Sequence, residues 1–240
     1  LTVDMQNEYL DPKVGTSPLA KLDIDRILKN SIFLSNNLRK FSIHVVYDAV
    51  AIPLKVIKKA RISSFDKVGV IGAGGGLGIH MLKMLKLNNI STIGIDTKTE
   101  KFDVCNENGA EFSVSPMEND LNNKITDYTQ GNNLDVVIDF VSSKSSLELG
   151  ASILGKGGRL VTLGGSGEQF LANSADMLVK ELELIGSRYC TKQELKESLD
   201  LYARGLVKPL VSHKTDFNGA EELHNKIETG DITGRAGILI

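Results

Sequence analysis

Three glycines recur at every third position in Val68–Gly78 (VGVIGAGGGLG), namely Gly72, Gly75 and Gly78, with Gly74 and Gly76 between them. Residues without side chains leave backbone N–H groups bare, and bare N–H groups at the start of a helix bind phosphate. The strict G-x-G-x-x-G spelling is absent; G-x-x-G-x-x-G takes its place. Asp96 stands 18 positions after Gly78, near the spacing of an acid that accepts hydrogen bonds from an adenosine ribose. A carboxylate there repels a 2′-phosphate, so the glycines and Asp96 together predict NAD rather than NADP. Each feature also has a plainer reading. Glycine-rich turns make purely structural bends, and an Asp at a strand end caps the turn that follows.

These residues need a strand, a sharp turn and a helix to hold them. Val68–Ile71 is a β-branched run suited to a buried parallel strand, and Leu77 to Leu87 carries a helical apolar pattern. The same alternation continues. Strands are predicted at Ser91–Ile95, Glu111–Ser115, Asp135–Val141, Arg159–Leu163 and Leu182–Gly186. Helices are predicted over Phe102–Gly109, Leu121–Thr129 and Leu147–Leu154, the last ended by Gly155, Gly157 and Gly158. Alternating helices and apolar strands imply an α/β fold, a doubly wound parallel sheet. Ligands of such sheets sit beyond the carboxyl ends of the strands. Those ends are Gly72–Gly78, Asp96, Phe140–Ser142, Leu163–Ser166 and Ser187–Tyr189. Further on, Gln193–Gly205 and Ala220–Thr229 read as helices, Val207–Leu210 leads out of the first, and Gly234–Ile240 reads as a terminal strand.

The chain has 240 residues and a formal charge of −2. It has no sequence-wide basic excess to hold nucleic acid, and its apolar runs are too short for a membrane span. Cys105 and Cys190 have neither metal nor redox spacing, and fit reduced thiols of a cytoplasmic protein. No signal-peptide pattern is visible, although the chain opens at Leu1. His44, His80, His213 and His224 have no partner at metal-ligand spacing, so structural or solvated roles are expected and no metal site.

The first 47 residues form a separate strand–helix–strand unit. Leu1–Val3 is a short strand ending at Asp4, Asp23 caps a helix, and Ile43–Tyr47 (IHVVY) is a second strand. LTVDMQNEYLDP followed by HVVY resembles the opening of the isochorismatase-like cysteine hydrolases, which use an Asp at the end of their first strand, a Lys and a nucleophilic Cys. Only Asp4 matches, and a lone carboxylate without its nucleophile reads first as a strand-end acid capping a loop.

From Asp48 onward a second resemblance is long. The segments DAVAIPLKVIKKA, VGVIGAGGGLGIHMLKMLK, DVVIDFVSS, LGKGGRLVTLGG, KELELIGSRYC and ITGRAGILI occur in that order. Together they resemble the cofactor domain and C-terminal segment of medium-chain, zinc alcohol dehydrogenase-like oxidoreductases. The resemblance implies a Rossmann domain over residues 48–190 and a C-terminal segment over 191–240, with the 1–47 unit as an N-terminal extension. It implies a cofactor site made by Gly72, Gly74, Gly75, Gly76, Leu77, Gly78 and Asp96, with Lys101 near the ribose unless it is a solvated helix lysine. Phe140, Val141, Leu163, Gly164, Gly165, Ser187 and Arg188 would line the rest of the cofactor. Arg235 would reach the pyrophosphate unless it is an ordinary surface arginine. It implies a small-molecule alcohol or carbonyl substrate, and a homo-oligomer formed across the last strand.

In that family a lobe ahead of the cofactor domain holds the catalytic zinc. No Gly-His-Glu stretch occurs in this sequence and no Cys precedes Cys105, so that lobe is expected to be missing here. Three functions compete: an NAD-dependent alcohol dehydrogenase-like oxidoreductase, a dinucleotide-binding module without chemistry, and a hydrolase built on Asp4.

Overall fold

The structure is a computed structural model that describes residues 48–165 and 167–238. The strand–helix–strand unit read over residues 1–47, Asp4 included, lies outside the described residues.

Helix α1 (Ala51–Lys59) leads into β1 (Lys67–Ile71). Then follow α2 (Gly78–Leu87), β2 (Ser91–Ile95), a 3-10 turn at Thr99–Lys101, α3 (Phe102–Glu107), β3 (Phe112–Val114), α4 (Leu121–Tyr128), β4 (Leu134–Asp139), α5 (Lys144–Ser152), β5 (Leu154–Thr162), α6 (Ser174–Lys180) and β6 (Glu183–Gly186). The six strands form one sheet in the order β3-β2-β1-β4-β5-β6. Every neighbouring pair is parallel. This is the doubly wound α/β sheet expected from the alternation, with the order reversing between β1 and β4. That reversal opens the crevice where such sheets take ligands.

The side-chain alternation along the strands explains why the runs are apolar throughout. Val68, Val70, Val136 and Ile138 point to one face and pack with Val56 of α1 and Ile79, Leu82 and Leu85 of α2. Ile71, Ile93, Ile95 and Val137 point to the other and pack with Ile125 of α4 and Leu147 of α5. A strand with a core on each face is apolar along most of its length, and the buried polar residues Thr92 and Asp139 are each hydrogen-bonded.

β5 starts earlier than the sequence suggests. Leu154 already pairs with Leu134, and the register then shifts to Arg159 opposite Val136. The Gly155–Gly158 stretch, expected as a loop between helix and strand, is a bulge within the strand. Arg159 ties this bulged strand to the segment that leads into β1, two strands away. Its guanidinium pairs with Asp66 just before β1 and donates to the Ala60 carbonyl oxygen at 2.7 Å.

After β6 the chain forms α7 (Lys192–Ala203), β7 (Val211–Thr215), a 3-10 turn at Phe217–Gly219, α8 (Ala220–Glu228) and β8 (Arg235–Ile238). Thr191 opens α7 with a capping box, its hydroxyl accepting from the Glu194 amide while Glu194 reaches back. β7 and β8 pair in parallel as a separate two-stranded sheet. β8 is the terminal strand expected from the sequence. β7 was not expected, because VSHKT alternates between half-buried and exposed positions with little apolar content. Among the described residues no helix is long and apolar enough to cross a membrane.

Candidate functional site

The glycine stretch leaves β1 at its carboxyl end and turns straight into α2. Gly72 has φ +75°, a left-handed conformation that glycine adopts without strain. Its N–H and that of Ala73 donate to the Ile95 carbonyl oxygen at the end of β2, and Gly75 N–H donates back to Gly72. The turn is so tight that a Cβ on Gly78 would lie 2.0 Å from the Gly72 oxygen. Beyond Gly75, no acceptor among the described residues takes the N–H of Gly76 or Leu77. They stand at the first turn of α2, where the helix dipole adds its positive end.

Asp96 is buried at the end of β2. Its Oδ2 accepts from Gly74 N–H at 2.8 Å and its Oδ1 from Lys98 N–H at 3.0 Å. Asp96 therefore caps its own following turn, the plainer of its two readings, and also braces the glycine turn. A carboxylate with two oxygens keeps further lone pairs for hydroxyl donors. Lys101 is buried, not solvated, and its ammonium donates to the Ile232 carbonyl oxygen at 2.8 Å. It anchors the C-terminal segment beside Asp96.

Arg235 comes to the same place from the start of β8. Its guanidinium pairs through Nη2 with Asp48 at the foot of α1. Its Nε is buried and has no hydrogen-bond partner among the described residues. A Cβ on Gly76 would lie 3.1 Å from that Nε, so the guanidinium rests against the bare backbone of the cradle. The neighbouring Gly234 N–H donates to the Gly74 carbonyl oxygen at 3.1 Å.

The remaining predicted residues stand at the carboxyl ends of β4, β5 and β6. Phe140 N–H donates to Ile71 O at 3.2 Å, and Val141 is half exposed with its Cγ2 beside Gly72. Leu163 N–H donates to Asp139 O, and Gly164 N–H donates to the Ser142 hydroxyl at 2.8 Å. Gly165 is exposed in the loop that follows. Ser187 N–H donates to Thr162 O, and its hydroxyl is buried without a partner among the described residues. Arg188 is exposed and lies over the Tyr189 ring. The structure thus gathers Gly72 to Gly78, Asp96, Lys101, Val141 and Arg235 around one crevice. Leu163–Gly165 sit two strands away from β1 and Ser187–Arg188 three strands away.

Four more residues shape this region: Asp139 and Asp48 were not singled out from the sequence, Ser142 was named only as part of a strand end, and His80 was expected to be structural or solvated. Asp139 is fully buried and shapes the β4 exit, accepting from Val141 N–H, Ser142 N–H and the Ser146 hydroxyl at 2.7–2.9 Å. Ser142, at φ +54°, hydrogen-bonds Thr162 across to β5. Asp48 holds Arg235. His80, in the first turns of α2, is fully buried. Its Nε2 accepts from Leu210 N–H at 2.9 Å, so the ring proton sits on Nδ1, 2.7 Å from the Gly76 oxygen. Burial first, then the nearby Arg235 and Lys83 charges, push its pKa down to about 4 against the opposing pull of the Gly76 bond. The Asp-x-x-Ser spacing was the only sequence signal for any of the four; His80 and Asp48 find their partners far away in the chain.

Among the described residues no group of three His, Cys, Asp or Glu side chains could hold a metal ion. His80 is spent on backbone bonds, and Cys105 is buried with its thiol pushed up to about 12. The described residues therefore do not assemble a zinc site.

The geometry can be set beside known proteins. The sequence profile of the zinc-binding dehydrogenases matches residues 76–204. The chain belongs to that family. The NAD-dependent alcohol dehydrogenase of Sulfurisphaera tokodaii is 28% identical over 182 residues, 75% of this chain and 52% of that protein. The crystal structure of the alcohol dehydrogenase from Aeropyrum pernix superposes with a TM-score of 0.71 at 27% identity, over 78% of this chain and 54% of that one. The acetophenone reductase of Geotrichum candidum, solved in complex with NAD, has a TM-score of 0.68 at 28% identity, over 80% and 53% of the two chains. The chain spans about half the length of the relatives it matches. The alcohol dehydrogenase-like resemblance seen in the sequence is this family.

Proposed function

We propose that this chain binds NAD and serves hydride transfer between an alcohol and its carbonyl compound. One observation carries the reading: at the positive end of α2 the buried Arg235 Nε, without a hydrogen-bond partner among the described residues, lies against Gly76, whose N–H and that of Leu77 also have no acceptor among those residues. Three donors around bare glycine fit a bridging pyrophosphate. Asp96, one strand over, is the ribose acceptor and disfavours a 2′-phosphate. Lys101 acts on the ribose side by fixing the Ile232 segment over it. Phe140, Val141, Leu163–Gly165, Ser187 and Arg188 line the path toward the nicotinamide, and the Ser187 hydroxyl has no hydrogen-bond partner among the described residues. The relatives named above support the cofactor: one is NAD-dependent and one was solved with NAD.

NAD supplies the hydride acceptor when bound; the chain's own part is to hold it and keep water from it. The group that would polarise the substrate is not assembled among the described residues. In this reading residues 48–190 are the cofactor domain and 191–240 the segment that closes over it. We place a homo-oligomer contact at the outer edge of β6, where Leu184 is half exposed.

Titration of the full chain with NADH and NADPH by calorimetry tests this. Saturable NADH binding, weaker NADPH binding, and loss of both in Gly76→Val are expected, because a valine side chain would fill the space against Arg235. A wild-type protein that takes up neither dinucleotide would overturn the reading. An alcohol and aldehyde screen with and without zinc then tests turnover.

A further inference from the structure

His80 stands in a closed circuit that the cofactor reading does not use. His80 Nδ1–H donates to Gly76 O at 2.7 Å, and Leu210 N–H donates to His80 Nε2 at 2.9 Å. Arg235 N–H donates to Leu210 O at 2.9 Å, and the Arg235 side chain returns to rest on Gly76. The circuit joins residues 130 or more positions apart. It links the cradle to the segment that carries the guanidinium through three hydrogen bonds and one packing contact.

We propose that His80 is a positioning residue for pyrophosphate binding, fixing Arg235 at the glycine cradle by way of Leu210. The proposal rests on the dinucleotide reading above. It follows from what the imidazole alone can do. The ring donates from one nitrogen and accepts at the other, in a fixed geometry across its width. One side chain therefore satisfies the Gly76 oxygen and the Leu210 amide together, and it does so while fully buried. An unmet amide at Leu210 would be costly at such a site, so the segment stays docked only with an acceptor in that place. Arg235, in turn, has its backbone held by Leu210 and its Nη2 held by Asp48, which leaves Nε aimed at the cradle. Asp48 sets the outer end of the guanidinium, and His80 sets where the backbone behind it lies. Lys101 and Gly234 dock the same segment elsewhere, so loss of His80 loosens the arginine without releasing the whole tail.

The test is a double-mutant cycle on the full chain, with NADH affinity as the readout. His80→Phe keeps the ring volume and removes both hydrogen bonds. It should weaken NADH binding at least fivefold, and His80→Gln, whose amide oxygen can accept from Leu210, should recover most of the loss. In an Arg235→Ala background, His80→Phe should change NADH affinity less than twofold. A purely structural histidine would give the same loss in both backgrounds, and that additivity would overturn the proposal. Should His80→Phe fail to fold, wild-type hydrogen exchange decides: saturating NADH should slow exchange at the Leu210 amide, and an unaltered rate overturns the clamp. A wild type that binds no NADH overturns the dinucleotide reading and the clamp with it, whereas binding combined with additivity overturns the clamp alone.

Discussion

The two halves of the sheet are built alike but finished differently. β1, β2 and β4 are buried along nearly all their length. Their carboxyl ends are closed by Gly72–Gly78, Asp96 and the Asp139 network. β6 at the other end is mostly exposed, and no residue of the neighbouring α6 is buried. Leu171, Leu178 and Val179 lie 73–81% exposed beside it. The first half is thus closed by described residues of this chain, and its glycine turn depends on backbones approaching closely. The second half ends in an edge that no described strand pairs, with apolar residues in the open, the kind of edge that proteins cover or pair.

Glycine substitutions break this comparison most sharply. Gly78→Val puts side-chain atoms where a Cβ already meets backbone at 2.0 Å. A loss of more than about 3 kcal/mol is expected in denaturant unfolding, since no side chain can move aside. Acid should act next, and on the same half. His80 titrates near its ordinary 6.5 in the unfolded chain and at about 4 in the folded protein. Below 6.5 the unfolded chain takes up a proton that the fold refuses. Stability is therefore intact above about pH 6.5 and falls as the pH drops toward 4, by up to about 3 kcal/mol. His80→Phe should flatten its share of that slope; identical slopes in mutant and wild type would refute the assignment.

Asp96→Ala comes third. It should weaken NADH binding by about tenfold, or ~1.4 kcal/mol, and narrow the gap to NADPH. An unchanged preference in paired titrations would remove Asp96 from the ribose. Gly186→Ala, in β6, should matter least. An added Cβ there meets nothing within 4 Å, so a shift within about 0.5 kcal/mol is expected. A large destabilisation would show that this edge is covered.

What could be read from the sequence follows the same division. The strands around the cradle were legible because two-sided burial demands unbroken apolar runs, as in Val68–Ile71 and Val136–Ile138. The glycine turn was legible because only glycine tolerates its contacts. α6 escaped notice because none of its side chains is buried to impose a pattern, although Asn173 caps it by accepting from Ala175 and Asp176 N–H. β7 has a single partner strand among the described residues and a polar spelling. In the site, Asp96 and Arg235 could be picked out by spacing and by resemblance. The duties of His80 and Asp48 could not, since each is defined by a partner far along the chain. Lys101 showed the limit of residue type alone: a lysine next to an acid proved to hold a carbonyl oxygen of the tail.

The meeting of Leu210 with Arg235, and of Gly234 with Gly74, also sets how freely the chain between them can vary. The excursion through β7 and α8 leaves and re-enters the body at one point, its two ends pinned within hydrogen-bond distance. Lengthening such an excursion costs little closure entropy. The exposed stretch around Glu228–Asp231 is therefore where an insertion, a protease cut or a pair of new chain termini would do least harm to the cradle.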